Sequence, residues 1–367
     1  MHKITFFPLG NADSSLIELN NGKVIQIDFA NMRDPNDKDD KRIDLKAELD
    51  NRVTKDTFDV VCFTHLDNDH IKGSSDYFHL LHAKKYQTEG RKKIAEMWVP
   101  ASAIVEDECE EEDRIIQAEA RYRFKEGTGI KVFSRPKKLK DWCKKNDIDF
   151  ESRKHLIIDA GTLVDTFTLS NDGVEFFAQS PFVSHIGGVE VDRNSSAITL
   201  HLTFNNTAKT EAIFGADITW EVWKDIILVT KAKGNETRLE WDLIHISHHC
   251  SYTALSEEKG EKQTIPDDEI KWMFEVQGRK GGYIVSPSKP IPSGYDDIQP
   301  PHKQAANYYS EVAKGLEGEF KVTMEHPTES EPKPLVFNIL DKEGVELEKA
   351  MATASVYIGS KTPPRAG

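Results

Sequence analysis

The chain has 367 residues, 38% hydrophobic and 30% charged, which is ample for one large core or two modest domains of a globular protein. It contains no apolar run of membrane-spanning length and no opening signal segment, so a membrane role is set aside and the cytoplasm is expected. A formal net charge of −14 argues against a broad electrostatic hold on nucleic acid, though it leaves room for a local basic groove. The four cysteines, Cys62, Cys109, Cys143 and Cys250, form no Cys-x-x-Cys pair. Neither a disulfide framework nor a zinc knuckle is expected.

In chain order, Lys3 to Phe7 reads as a first strand, followed by a polar loop through Gly10, Asn11, Ala12, Asp13 and Ser14. Ser15–Leu19 and Val24–Asp28 flank Asn20-Asn21-Gly22, a hairpin signal. A helix is expected over Ile43–Arg52, then a short buried strand, Val60-Val61-Cys62-Phe63. Directly after that strand comes Thr64-His65-Leu66-Asp67-Asn68-Asp69-His70-Ile71-Lys72-Gly73. Two imidazoles and two carboxylates in six residues, on a loop leaving a strand end, suit a divalent metal such as zinc or manganese. A solvated polar turn is the plain alternative, since Asp and Asn are ordinary turn residues.

A helix is predicted from Gly73 to about Tyr86 and a strand over Met97–Pro100. Residues 101 to 155 break the pattern: an acidic run (Glu106 to Asp113), a helical spacing (Ile115, Ala118, Glu119, Tyr122), then many lysines and arginines from Lys131 to Lys154. This segment reads as a charged helical insertion or cap over one edge of the core. Its basic face is either ordinary solvated surface or a guide for an anionic substrate. Strands are expected at Leu156–Ile158, Phe167–Leu169, Val174–Ala178, Ala197–Phe204, Glu211–Phe214, Leu243–Ile246, Tyr283–Ser286, Lys321–Met324 and Leu335–Ile339. Helices are expected over Trp220–Lys231, Asp267–Gln277 and Lys303–Lys314. His185 lies in a loop with Gly187-Gly188, and Asn194-Ser195-Ser196 precedes a strand. The domain is expected to span 1–345 and a small polar tail 346–367. Two β-rich halves with helices between and outside predict an α/β fold, two sheets sandwiched by helices.

His65-x-Asp67-x-Asp69-His70 after a strand, Gly215-Ala216-Asp217 after a strand, and Ser247-His248-His249-Cys250-Ser251 after another resemble the metallo-β-lactamase superfamily. Asp67 stands where that family's second histidine is usual, as in the branch containing the metallo-β-lactamase-like domain of the DNA-uptake channel protein ComEC. Gly10, Asp13, Ser14 and Ile27-Asp28 match that branch's opening, and Pro300-Pro301-His302 its close. For Asp13 and Asp28 a capping role weighs as much as a site role. The resemblance implies an αββα metallo-β-lactamase fold and one or two divalent ions, zinc or manganese. Its implied ligands are His65, Asp67, Asp69, His70, Asp217 (bridging) and His248, with Asp69 and Asp217 catalytic. His249 is second choice to His248. His185, His249, Ser251 and His302 are candidate substrate contacts; His155, His185 and His201 are the candidates for the family's further histidine, of which His185 falls in the matching loop and His201, mid-strand, reads as structural. With Asp for His, the first site is oxygen-rich, which favours manganese or single occupancy. Cys250 takes a usual glycine position and reads as a small buried residue rather than a nucleophile.

The implied activity is hydrolysis of a phosphodiester, nucleic acid or nucleotide, by metal-activated water. The wider setting expected from such relatives is prokaryotic phage defence beside a protein partner from the same operon. Hydrolysis of a small ester or lactone, or a non-catalytic scaffold, are the alternatives.

Overall fold

A computed structural model describes residues 1–186 and 192–349. The first sheet is built from β1 (His2–Phe6), β2 (Ser15–Glu18), β3 (Val24–Ile27), β4 (Thr57–Cys62), β5 (Phe78–His79), β6 (Lys92–Pro100), β7 (Ile130–Phe133) and β8 (Ile157–Ile158). The second holds β9 (Thr162–Val164), β10 (Val174–Ser180), β11 (Thr199–Phe204), β12 (Glu211–Phe214), β13 (Trp241–His245), β14 (Gly278–Ser286) and β15 (Glu319–Val322). β16 (Leu335–Leu340) and β17 (Gly344–Leu347) return to the first sheet, beside β1.

Period-two burial explains why the two sheets stack. Ile4 and Phe6 of β1, Val60 and Cys62 of β4, and Trp98 of β6 turn inward. They meet Phe176, Leu200, Leu202, Ala212 and Phe214 of the second sheet in one core. The alternate residues face outward. Val61, Met97 and Val99 pack under α1 (Leu45–Arg52), α2 (Asn68–Ile71), α3 (Ser74–Tyr77), α4 (Ser102–Val105), α5 (Glu111–Glu126) and α6 (Lys137–Lys145). α7 (Leu169–Asp172) is a single turn leading into β10. On the far side Ile213 and Ile244 pack under α8 (Trp220–Ala232), α9 (Asp268–Val276) and α10 (Lys303–Gly315). The result is the expected αββα sandwich.

Three expectations change. The stretch after Gly73 is not one helix. It is the four-residue α3, then β5, because Phe78 is drawn into an aromatic cluster with Phe29, Phe58 and Phe63. No strand forms at Phe167–Leu169; β9 lies just before, and Leu169 opens α7.

Residues 101–155 are not a cap laid over the core. β7 lies inside them and pairs in parallel with β6, Met97 opposite Ile130 through Pro100 opposite Phe133, and with β8. Ile104, Ile116, Phe124 and Leu139 of this segment are fully buried. Several of its basic residues are paired: Lys154 with Glu151 inside the segment, and Lys131 and Arg135 with Asp165 and Asp159 just beyond it. β17 carries the sheet two residues past 345. The tail beyond residue 349 and the glycines 187 and 188 lie outside the described residues.

At the start of β12, Glu211 sits in a buried polar group. Thr203 Oγ1 donates to it at 2.7 Å and His201 Nε2 lies 3.3 Å away. Burial pushes the Glu211 carboxyl up to about 7 against the pull of Thr203, Arg279 and Arg238, and pushes His201 down to about 3. His201 is therefore structural, as expected. A carboxyl whose folded pKa is raised from 4.5 to about 7 contributes stability at low pH and loses it as pH rises through that window. The Glu211→Gln protein should accordingly gain on wild type between pH 5 and pH 8, by about 2 kcal/mol in urea melts. An unchanged difference across that range would count against the raised carboxyl.

Candidate metal centre

The centre lies where parallel strands of both sheets end, the place where open α/β sheets leave a crevice. β3 delivers Asp28, β4 delivers Thr64 to His70, β12 delivers Asp217 and β13 delivers His245 to His249. Asp13 arrives on the loop between β1 and β2. Its backbone N–H donates to the Asp69 carbonyl at 3.0 Å, which ties that loop to the motif.

Asp13, His70, Asp217 and His249 each offer a ligand atom, all within 4.8 Å of one another, and all four residues are buried. The orientation of both imidazoles follows from partners that can only accept. His70 Nδ1 lies 2.8 Å from Asp28 Oδ2, so Nδ1 carries the proton and Nε2 is left facing Asp217 at 3.3 Å and Asp13 at 3.7 Å. Asp28 is itself held by the Thr64 N–H at 2.7 Å and hydroxyl at 2.6 Å. His249 Nδ1 lies 2.9 Å from the Pro287 carbonyl, which leaves its Nε2 3.1 Å from Asp69 Oδ2 and 3.3 Å from Asp217 Oδ2.

Burial works against every charge here, and the charges answer one another. Burial pushes Asp217 up, but His249 and His70 hold it well below the usual carboxylate range. The same contest, with His249 and His70, lowers Asp69. Burial pulls His70 down, yet Asp217 and Asp28 hold it well above an ordinary histidine. Asp217 and Asp69 likewise raise His249 against burial.

The donor set fits a divalent cation. Asp13 Oδ2, Asp217 Oδ1, His65 Nε2 and His70 Nε2 are buried without a hydrogen-bond partner, while Asp13 Oδ1 lies 2.9 Å from His245 Nε2. Buried polar atoms are rarely left so, and mixed imidazole and carboxylate donors suit zinc or manganese.

Not every predicted residue joins this set. His65 is buried, with its ring centroid 3.9 Å from that of His70, but its nearest acid is Asp67 at 3.5 Å. Asp67 is turned toward Arg193, 3.0 Å away. Between the paired histidines the preference is reversed. His249 enters the cluster, whereas His248 stays half-buried, its Nδ1 3.4 Å from the Thr253 hydroxyl. His248, His249 and Cys250 have φ of +54°, +51° and +65°, and this left-handed turn points adjacent side chains in different directions.

His185 lies against α8, 3.1 Å from Asp225. Ser251 is committed to Thr253, and His302 uses one ring nitrogen on the Tyr252 N–H and the other at the Ile298 carbonyl. None of these three contacts the four-residue cluster.

Two residues were absent from the sequence reading. His245 stacks on Phe6 at 5.1 Å and brings Nε2 within 2.9 Å of Asp13; a lone histidine at the end of an apolar strand was its only signal. Arg193 had none.

Cys250 is fully buried among the side chains under α8 to α10, and burial pushes its thiol far up. It is neither ligand nor thiolate. Glycine would suit its positive φ while losing a little buried surface, so Cys250→Gly should keep activity to within about threefold. Loss comparable to that of a ligand variant would contradict this placement.

No protein-family model and no curated protein matches the chain. Among solved structures, an isothiocyanate hydrolase from Delia radicum gut bacteria is 9% identical, with 91% of this chain and 98% of that one covered and a TM-score of 0.41. A diphosphatase from the PhnP family is 13% identical over 83% of this chain and 96% of its own, with a TM-score of 0.31. The long form of RNase Z from yeast is 12% identical over 78% of this chain and 41% of its own, with a TM-score of 0.26. At these identities and scores no residue role and no activity transfers.

Proposed function

We propose that the chain is a metal-dependent hydrolase of the metallo-β-lactamase fold, and that its substrates are phosphodiesters. The observation that carries the first part is the buried set of Asp13, His70, Asp217 and His249, with its unpartnered donor atoms. The motif resemblance supports the second. A divalent ion held there would polarise an attacked phosphoryl group and acidify water near neutral pH.

The chain's own residues divide the remaining work. Asp28 and the Pro287 carbonyl fix the two imidazoles so that both Nε2 atoms face inward. Asp69 is the acid of the motif pressed against His249 yet still 34% exposed at its side chain. It stays ionised and can accept a hydrogen bond from an incoming water. His248, half-buried and electrostatically coupled to Asp217 and Asp69, can donate to a substrate oxygen.

The test is a panel of single- and double-stranded DNA, RNA, cyclic dinucleotides and a chromogenic phosphodiester, run on metal-loaded and chelated protein. Hydrolysis of at least one, abolished by chelation and restored by manganese or zinc, is expected. Cleavage confined to esters or lactones would overturn the substrate class. Protein that takes up no metal would overturn the reading as a whole.

A further inference from the structure

The four-residue set is complete without the first half of the motif. His65 and Asp67 lie 3.5 Å apart beside it, and His65 Nε2 has no hydrogen-bond partner. Together they mark a second position for a cation. Among the described residues they join no group of three ligand atoms, so that position has two protein ligands where the first has four.

One of those two is already engaged. Arg193 Nη1 lies 3.0 Å from Asp67 Oδ1 and 3.0 Å from the Leu66 carbonyl. The guanidinium is fixed from behind by Glu106, at 2.8 Å from Nη2, and by Asp113 at 2.6 Å. Guanidinium does not lose its proton in proteins. A permanent positive charge therefore grips the carboxylate that the motif offers at the second position, in a geometry set by two further acids.

We propose that Arg193 limits the protein to one tightly held divalent ion, by competing for Asp67 and repelling a second cation beside it. This rests on the metal-hydrolase reading above. It assigns Arg193 a positioning role and gives the acidic run its own purpose, since Glu106 and Asp113 aim the guanidinium at the motif loop.

Metal counting tests it without reference to activity. The full chain, stripped by chelation, is titrated with Mn²⁺ by calorimetry, and retained metal is measured after gel filtration. Wild type should retain one ion per chain, with any second ion at least about tenfold weaker, a gap of about 1.4 kcal/mol. Arg193→Met should strengthen the second ion at least about tenfold. Asp67→His, which leaves Arg193 with Glu106 and Asp113 and replaces the carboxylate that pairs with the guanidinium by an uncharged imidazole, should also retain two ions. It decides the matter if Arg193→Met does not fold. Two equal ions in wild type, or one ion in both folded variants, would overturn the proposal and leave the metal-hydrolase reading standing. No ion in wild type would overturn both.

Discussion

Replacing His70 by alanine should cost the protein its metal and at least about a thousandfold in hydrolytic rate, roughly 4 kcal/mol of barrier. His70 sits at the centre of the site. It is fully buried, its Nδ1 is fixed by Asp28, and its Nε2 faces Asp217 and Asp13. Alanine removes a donor atom and the side chain that Asp28 exists to orient, and both effects lower metal affinity. The metal-free protein should lose stability as well. There the His70 imidazolium is the counter-charge of Asp217 and Asp28, and its removal leaves buried carboxylates facing one another. Breaking one partner out of such a group costs about 3 kcal/mol or more, so metal-free His70→Ala should also melt earlier. Asp69→Asn separates chemistry from folding. Its side chain is 34% exposed and the substitution keeps its shape, so the fold should stand while the rate falls at least about a hundredfold. Metal content by elemental analysis and initial rates on the responding substrate check both. Full activity in folded Asp69→Asn would remove the catalytic role given to this loop.

Deleting residues 101 to 155 should abolish folding, not trim a cap. The deletion takes β7 out from between β6 and β8 and removes α4, α5 and α6 from the outer face of the first sheet. Ile104, Ile116, Phe124, Ile130, Val132, Phe133 and Leu139 are all essentially inaccessible to solvent. At roughly 1.5–3 kcal/mol for each large apolar side chain buried, their loss is on the order of 10 kcal/mol, which matches or exceeds the whole stability of a typical domain. Glu106 and Asp113 would go as well, and with them the anchors of Arg193. Circular dichroism and gel filtration should show an unfolded or aggregated product. A cooperative, metal-binding core after deletion would show that β8 can pair with β6 directly.

How far the site can be read from the chain depends on how local each interaction is. The motif loop is legible because β4 ends in an apolar run, Val60-Val61-Cys62, continued by Phe63, as expected where a strand is buried on both faces. Its end is therefore marked by the first polar residue, and everything from His65 to His70 follows within one turn. Asp217 is legible for the same reason, since β12 is Glu211 to Phe214 and the chemistry starts at its end. Asp13 and Asp28 could be weighed but not placed. A carboxylate after a strand caps or ligates according to what stands opposite, and what stands opposite Asp28 is His70, 42 positions later.

The sequence by itself determined the two-sheet sandwich with helices outside, because period-two burial and strand-length apolar runs are properties of neighbouring residues. It also determined the type of site, since imidazoles and carboxylates at strand ends carry their donor chemistry with them. Only the tertiary structure decided which donors converge. His249 rather than His248 reaches Asp217 because three successive residues adopt positive φ, and loops that follow other strands hold them there: the His248 N–H donates to the Ala216 carbonyl and the His249 ring to the Pro287 carbonyl. The tertiary structure also decided that residues 101 to 155 belong to the sheet. The four residues Ile130 to Phe133 are too few to stand out among charged neighbours, and they form a strand because β6 and β8 offer unpaired backbone on either side. Arg193 and Asp67 are 126 positions apart. A guanidinium and a carboxylate so far separated have no pattern in the chain, and their contact exists only once both sheets have closed on the same core.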